Sequence, residues 1–182
     1  MRLLRSLGLL LVVVTAALSA SAQGAVHRAP PTRAHRVVHG CVIRARTRCP
    51  GARLIGAHLR RAQLGSADLF VANLAGADLR GARLSKANLF GAKLVGADLS
   101  AAKLVGTNAP GANFFGAKLV GANLARANLT GANFAYADLT GASMRGADVA
   151  SVNEDGATLC HTVLPNGRID NAHCPSVRPG AR

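Results

Sequence analysis

The sequence predicts an all-β solenoid, a chain wound as a square coil of 20 residues per turn, and three observations predict it. Residues 52–151 repeat every five residues without one inserted or deleted residue, and 157–161 add a last copy. The central position of each five is a large apolar residue: of the 22 such positions from 54 to 159, Leu fills 16, and Phe114, Phe134, Met144 and Val149 fill four more. Two residues earlier stands Ala, in 20 of the 22 copies. The position between the two is polar, and the last residue of the five is Gly in 13 copies.

An α-helix cannot use this pattern. Five residues advance it by about 500°, so successive leucines would step by roughly 140° and form no stripe. A flat strand has period two, so leucines five apart would alternate between its faces. A coil that turns by about a right angle every five residues puts every Leu and Ala inside and every polar neighbour outside. Its turns pair at the strand spacing of about 4.8 Å, so five and a half turns make a rod of about 26 Å. Gly supplies corners of positive φ. Asn and Asp before the core position can hydrogen-bond local backbone. The small Ala is needed because two large side chains per side would overfill so narrow a tube.

Units such as Ala72-Asn73-Leu74-Ala75-Gly76 and Ala77-Asp78-Leu79-Arg80-Gly81 resemble the pentapeptide repeat family, whose pattern is A-(D/N)-L-x-x. The resemblance implies a right-handed quadrilateral β-helix and a scaffold or binding role. One branch of that family mimics DNA and inhibits DNA gyrase. Such mimicry needs a mainly acidic rod, whereas this chain carries a formal charge of +14. A gyrase-type inhibitor is therefore the weaker alternative.

In chain order, residues 1–22 read as a secretory signal. Arg2 and Arg5 precede an apolar run, and Ala20-Ser21-Ala22 forms a small-residue cleavage site. Residues 23–40, rich in Ala, Pro, Arg and His, are expected to be a flexible basic leader. His27, His35 and His39 there lack a supporting carboxylate or Cys and read as solvated. Residues 41–51, bracketed by Cys41 and Cys49, are expected to cap the 52–161 coil at one end. Residues 162–182, with Cys174 facing Cys160 across the exit, are expected to cap it at the other. Four cysteines allow three pairings. The local pairs Cys41–Cys49 and Cys160–Cys174 are expected, because a filled tube keeps its ends apart, and export permits disulfides. Two lapses stand out. Thr107-Asn108-Ala109-Pro110-Gly111 replaces Ala with Thr and Leu with Ala, and Pro110 removes a backbone donor. Phe114 is expected to fill the space beside Ala109 and to stack with Phe134. Around Val152, Glu154 and Asp155 the coil is expected to loosen, since a buried lone Glu is costly.

The 20-residue period sorts outward residues onto four faces. One, spanning the pentads from 62 to 146, has no acid and collects Arg83, Lys86, Lys103, Arg126 and Arg145. The next carries Asp68 and Asp148 with Phe70 and Phe90 outside the core. A third aligns Asp78, Asp98 and Asp138 with Lys118, below His58, Arg60 and Arg61. The fourth shows Val95, Phe115 and Tyr136. Nine arginines lie between 28 and 61 with no acid, and loss of Arg2 and Arg5 with the signal would leave +12. Such a balance attracts polyanions.

No catalytic, cofactor-binding or metal-binding set is legible; His58, His161 and His173 stand isolated. The expectation is an exported, monomeric, non-enzymatic scaffold or binding module. Arg60, Arg61, Arg83, Lys86, Lys103, Arg126 and Arg145 are its candidate contacts to an anionic envelope polymer or lipid headgroups. The alternative is a protein-binding rod that uses Phe70 and Phe90.

Overall fold

The computed structural model describes residues 36–171 and Cys174. The predicted signal at 1–22, most of the leader, and His27, His35 and His173 lie outside the described residues. Among the described residues, twenty parallel bridges join positions twenty apart, from Arg48↔Asp68 to Ser143↔Val163. Successive 20-residue turns of chain are thus hydrogen-bonded in register. The pairing is made by single residues, and among the described residues continuous strands occur only near the two ends. The reason is the pentad itself: a turn follows the core residue in every copy, so no side is long enough for a continuous strand.

Each pentad repeats the same bonds. The core residue donates forward to the next coil (Leu54 N–H to Asn73 O, 2.7 Å), as does the last residue (Gly56 N–H to Ala75 O, 2.8 Å). The polar residue donates back (Asn73 N–H to Ala52 O, 2.9 Å), and a tight turn closes each corner (Ala57 N–H to Leu54 O, 3.1 Å). The third turn residue has positive φ in every pentad from 52 to 161, at 13 glycines and at nine other residues. This is the type II signature. The coil interior is apolar apart from Thr107: the Leu residues and, Ala62 apart, the inward Ala residues from 54 to 142 are buried, and Phe114 and Phe134 stack with ring centroids 4.6 Å apart. Each buried Leu contributes about 1.5–3 kcal/mol.

A non-glycine corner in the left-handed region costs about 1–2 kcal/mol. Most of the large ones are met by Gly one coil later. Tyr136 lies over Gly156, where a Cβ would come within 2.9 Å of the ring. Val71 lies over Gly91, where a Cβ would come within 3.1 Å of its Cγ1. Arg61, Lys86 and Arg126 lie in the same way across Gly81, Gly106 and Gly146.

Two expectations are corrected. The leader is not irregular up to residue 40. Strand β1 (Arg36–Val38) pairs antiparallel with β2 (Cys41–Ile43), with Val38 opposite Cys41. His39 and Gly40 both have positive φ, at 46° and 79°, which is the geometry of a two-residue hairpin turn. Nor does the coil loosen at 152–156: Asn133↔Asn153 still pair, Tyr136 N–H donates to Asp155 O at 2.9 Å, and Ala157 N–H to Glu154 O at 2.9 Å. Glu154 is exposed despite its core register, because it belongs to the last coil. Pro110 does remove a backbone donor, as expected, but not one that bonds coil to coil. It stands at the second turn position, where proline is favoured and the N–H otherwise meets only the side chain two residues back, as in Phe70 N–H to Asp68 Oδ1 at 3.2 Å.

The bonding pattern also runs past 52–161. Thr47-Arg48-Cys49-Pro50-Gly51 pairs with the first coil through Cys49 N–H to Asp68 O at 2.8 Å. Thr162-Val163-Leu164-Pro165-Asn166 pairs with the last through Met144 N–H to Val163 O at 2.7 Å. These two pentads and 107–111 share Thr in the Ala position and Pro after the core position. Their threonines are the buried polar side chains among the described residues. Thr107 Oγ1 donates to Leu104 O at 2.7 Å and Thr162 Oγ1 to Leu139 O at 2.7 Å, so neither hydroxyl is orphaned. Strand β3 (Thr162–Val163) then pairs with β4 (Ile169–Asp170). Cys41–Cys49 and Cys160–Cys174 stand at disulfide distance, with sulfurs 2.11 and 2.14 Å apart.

Candidate functional site

Four outward faces follow from the coil, and their side chains have different employment. On the face of Asp78, Asp98 and Asp138 the carboxylates serve the turns. Their Oδ1 atoms accept from the N–H two residues on, at 3.2, 3.0 and 3.0 Å. Arg80 folds back onto Asp78 with a 2.6 Å ion pair and reaches Asp98 at 3.8 Å. The Arg80 hydrogen bond holds the Asp78 carboxyl down at about 2. On the face of Asp68 a ladder of amides climbs the coils: Asn88 Nδ2 to Asp68 Oδ1 at 3.0 Å, Asn108 to Asn88 at 3.3 Å and Asn128 to Asn108 at 3.5 Å. Phe70 and Phe90 stack beside that ladder at 5.4 Å and are 41% and 45% exposed. Phe115 and Tyr136 meet edge-on at 5.4 Å on the fourth face.

The remaining face is different. Arg83 and Lys103 are bridge partners on adjacent coils, and both are exposed. Lys86 and Arg126 stand on its corner with positive φ. Arg145 extends toward Gly167, whose Cβ would lie 3.2 Å from the guanidinium. Arg61 stands on the opposite corner and Arg60 just beyond it on the aspartate face. The ion pairs found among the described residues both belong to Arg80, so none of these cations forms one there, although the charge of Arg60 helps to lower the Asp78 carboxyl. The seven candidate cations thus fall on one face, its two corners and the edge of the next.

Sequence reasoning missed three arginines. Arg44, Arg46 and Arg48 line an open concavity of about 370 Å3 at the Cys41–Cys49 end, with Gly40 and Thr47. The signal was available: Arg46 occupies the corner position 40 residues before Lys86 and 80 before Arg126. His161 is not isolated either. Its Nδ1 lies 3.4 Å from Cys160 Sγ, and Cys160, His161 and Cys174 bring their donor atoms within 4.8 Å of one another. Two of these three donors are joined to each other as Cys160–Cys174. At this same end a cavity of about 220 Å3 opens between Phe134, Leu139, Met144, Val149, Val152 and Leu164, with Glu154 at its lining.

This geometry defines a repeat protein of hydrogen-bonded 20-residue turns that displays its chemistry on long faces. The pentapeptide-repeat description matches residues 67–106, 82–119 and 111–146, with eight copies. No curated protein matches the chain by sequence. Among solved structures, a pentapeptide repeat protein of the cyanobacterium Cyanothece 51142 is 38% identical, over 50% of this chain and 62% of that one, with a TM-score of 0.49. A pentapeptide repeat protein of the Arabidopsis thaliana thylakoid lumen is 28% identical, over 47% and 63%, with a TM-score of 0.41. HetL of Nostoc, described as involved in regulating heterocyst differentiation, is 32% identical over 69% and 67%, with a TM-score of 0.36. The chain thus spans just under two thirds of the first two. It belongs to the pentapeptide repeat family.

Proposed function

We propose that the protein is an exported, non-enzymatic scaffold, folded as a right-handed quadrilateral β-helix, whose acid-free face binds an anionic component of the cell envelope. One observation carries this reading: the cations of that face have no partners among the described residues, while the aspartates of the neighbouring face are engaged in turns and with Arg80. Pairs of cysteines at disulfide distance favour an extracytoplasmic setting, as does a lumenal relative. The test is co-sedimentation of the purified chain with isolated envelope at low and high salt. Binding should weaken steeply with salt and fall in a Lys86→Ser/Lys103→Ser/Arg126→Ser variant. Binding that ignores both would sink the reading.

A second reading rests on the stacked, exposed Phe70 and Phe90, which suit a protein partner. It expects binding that survives salt and fails in a Phe70→Ser/Phe90→Ser variant.

A further inference from the structure

Six corners of the acid-free face stack in one column, at residues 46, 66, 86, 106, 126 and 146. Each donates its N–H to the residue just before the next corner: Arg46 to Gly65 O at 2.8 Å, Ser66 to Ser85 O at 2.9 Å, Lys86 to Val105 O at 3.0 Å, Gly106 to Ala125 O at 2.9 Å, and Arg126 to Arg145 O at 2.9 Å. The column reads Arg, Ser, Lys, Gly, Arg, Gly. Cations therefore stand on every second coil, about 9.5 Å apart.

The spacing is built rather than incidental to long side chains. The stem of Lys86 lies across Gly106, its Cγ 3.8 Å from where a Cβ would be, and that of Arg126 lies across Gly146 at 3.7 Å. Each stem thus rests on the small residue of the next coil, which fixes where its charge emerges. At the lower end Arg46 joins Arg44 and Arg48 in lining the open concavity, and no acid is in that lining.

We infer that this column binds a linear anionic polysaccharide carrying one charged group per disaccharide, its chain running along the coil stack. One pyranose ring with its glycosidic oxygen advances a polymer by about one coil spacing, so an extended disaccharide spans two coils. Successive anionic groups of such a polymer meet Arg126, Lys86 and the Arg44–Arg46–Arg48 concavity in turn. A uronan charged on every ring carries about twice the density of this corner column and a polyphosphate more still; Arg83, Lys103 and Arg145 stand on the flat of the face beside the column, outside it. The inference rests on the polyanion-binding reading above and narrows it to a charge spacing.

The test separates spacing from net charge. The chain, with its disulfides intact, is titrated with hyaluronan (one carboxylate per disaccharide), polygalacturonate (one per ring) and polyphosphate at matched ionic strength. A Lys86→Ser/Gly106→Lys variant keeps the net charge and moves one cation by one coil. We expect it to lose about tenfold in affinity for hyaluronan, equivalent to one charged contact, and to change little toward the other two polymers. Because Gly106→Lys strains a left-handed corner, Arg126→Ser/Gly146→Arg is run in parallel, with thermal melts as the folding control. Equal binding of all three polymers, unchanged in both register variants, would overturn the spacing and leave the polyanion reading standing. Failure to bind any of the three would remove both.

Discussion

The aspartate face and the acid-free face are neighbours on one coil, with the same backbone bonds and the same buried Leu and Ala beneath. They differ in what the outward residue before the core position does. On the aspartate face Asp78, Asp98 and Asp138 close an extra hydrogen bond to the turn N–H two residues on. On the acid-free face only Asn123 does so, at 3.0 Å to Ala125, while Arg83 and Lys103 cannot. A net hydrogen bond of this kind is worth about 0.5–1.5 kcal/mol. The acid-free face therefore forgoes a local stabilising device at two adjacent coils, at the exposed Arg83 and Lys103. Places where a local rule is broken without a structural return are where function is expected.

Four changes would break or sharpen this comparison. The largest tests the shared core. Leu99→Ala beneath the aspartate face and Leu104→Ala beneath the acid-free face each remove a fully buried side chain. Both should cost about 2–5 kcal/mol, by equal amounts, in chemical denaturation. A large inequality would mean that the faces differ in more than their surface. Next, Cys41→Ser/Cys49→Ser should cost about 2–4 kcal/mol by releasing the end where the arginine concavity sits. Melting with and without reductant would read it, and an unchanged midpoint would show that this end needs no pin.

The third change exchanges the surface chemistry. Arg83→Asn supplies the missing acceptor for the Ser85 N–H and should raise stability by about 0.5–1 kcal/mol while weakening polyanion binding. Asp98→Ala should do the reverse for stability and leave binding intact. If Arg83→Asn stabilises nothing, the proposed trade between turn and charge is wrong. The smallest concerns pH. Asp78 is held at about 2, below its ordinary value, chiefly by the Arg80 hydrogen bond. A depressed carboxyl contributes stability that is present above its unfolded pKa and lost as pH falls through the folded one. The contribution should therefore fade between about pH 4 and pH 2. Arg80 is nearly half exposed, so solvent screening keeps the effect small. Acid titration of Arg80→Ala against the parent chain would show it as a small difference that vanishes near pH 2.

Much of the molecule was legible because every repeat contacts only its neighbours. The period of five, the 20-residue register, the Phe114–Phe134 stack and the Phe70–Phe90 pair all followed from position alone. The acids and cations could be sorted onto faces for the same reason. What could not be read was which of them were already engaged: the Asp78–Arg80 pair and the amide ladder depend on side-chain reach between coils. The pairing of Lys86 with Gly106 and of Tyr136 with Gly156 was present at a spacing of 20, and a search for large residues facing Gly one coil later would have found it.

The sequence by itself determined the body, since a strict repeat makes every coil the environment of the next. Tertiary structure decided the ends, where the repeat no longer supplies a neighbour. There the Thr47 and Thr162 pentads join the coil with Pro at the turn and a buried hydroxyl in place of Ala. There Glu154 keeps a core register yet stays exposed, since its coil is the last. There, too, His39-Gly40 folds a hairpin that brings Cys41 to Cys49 and gathers Arg44, Arg46 and Arg48 around one concavity.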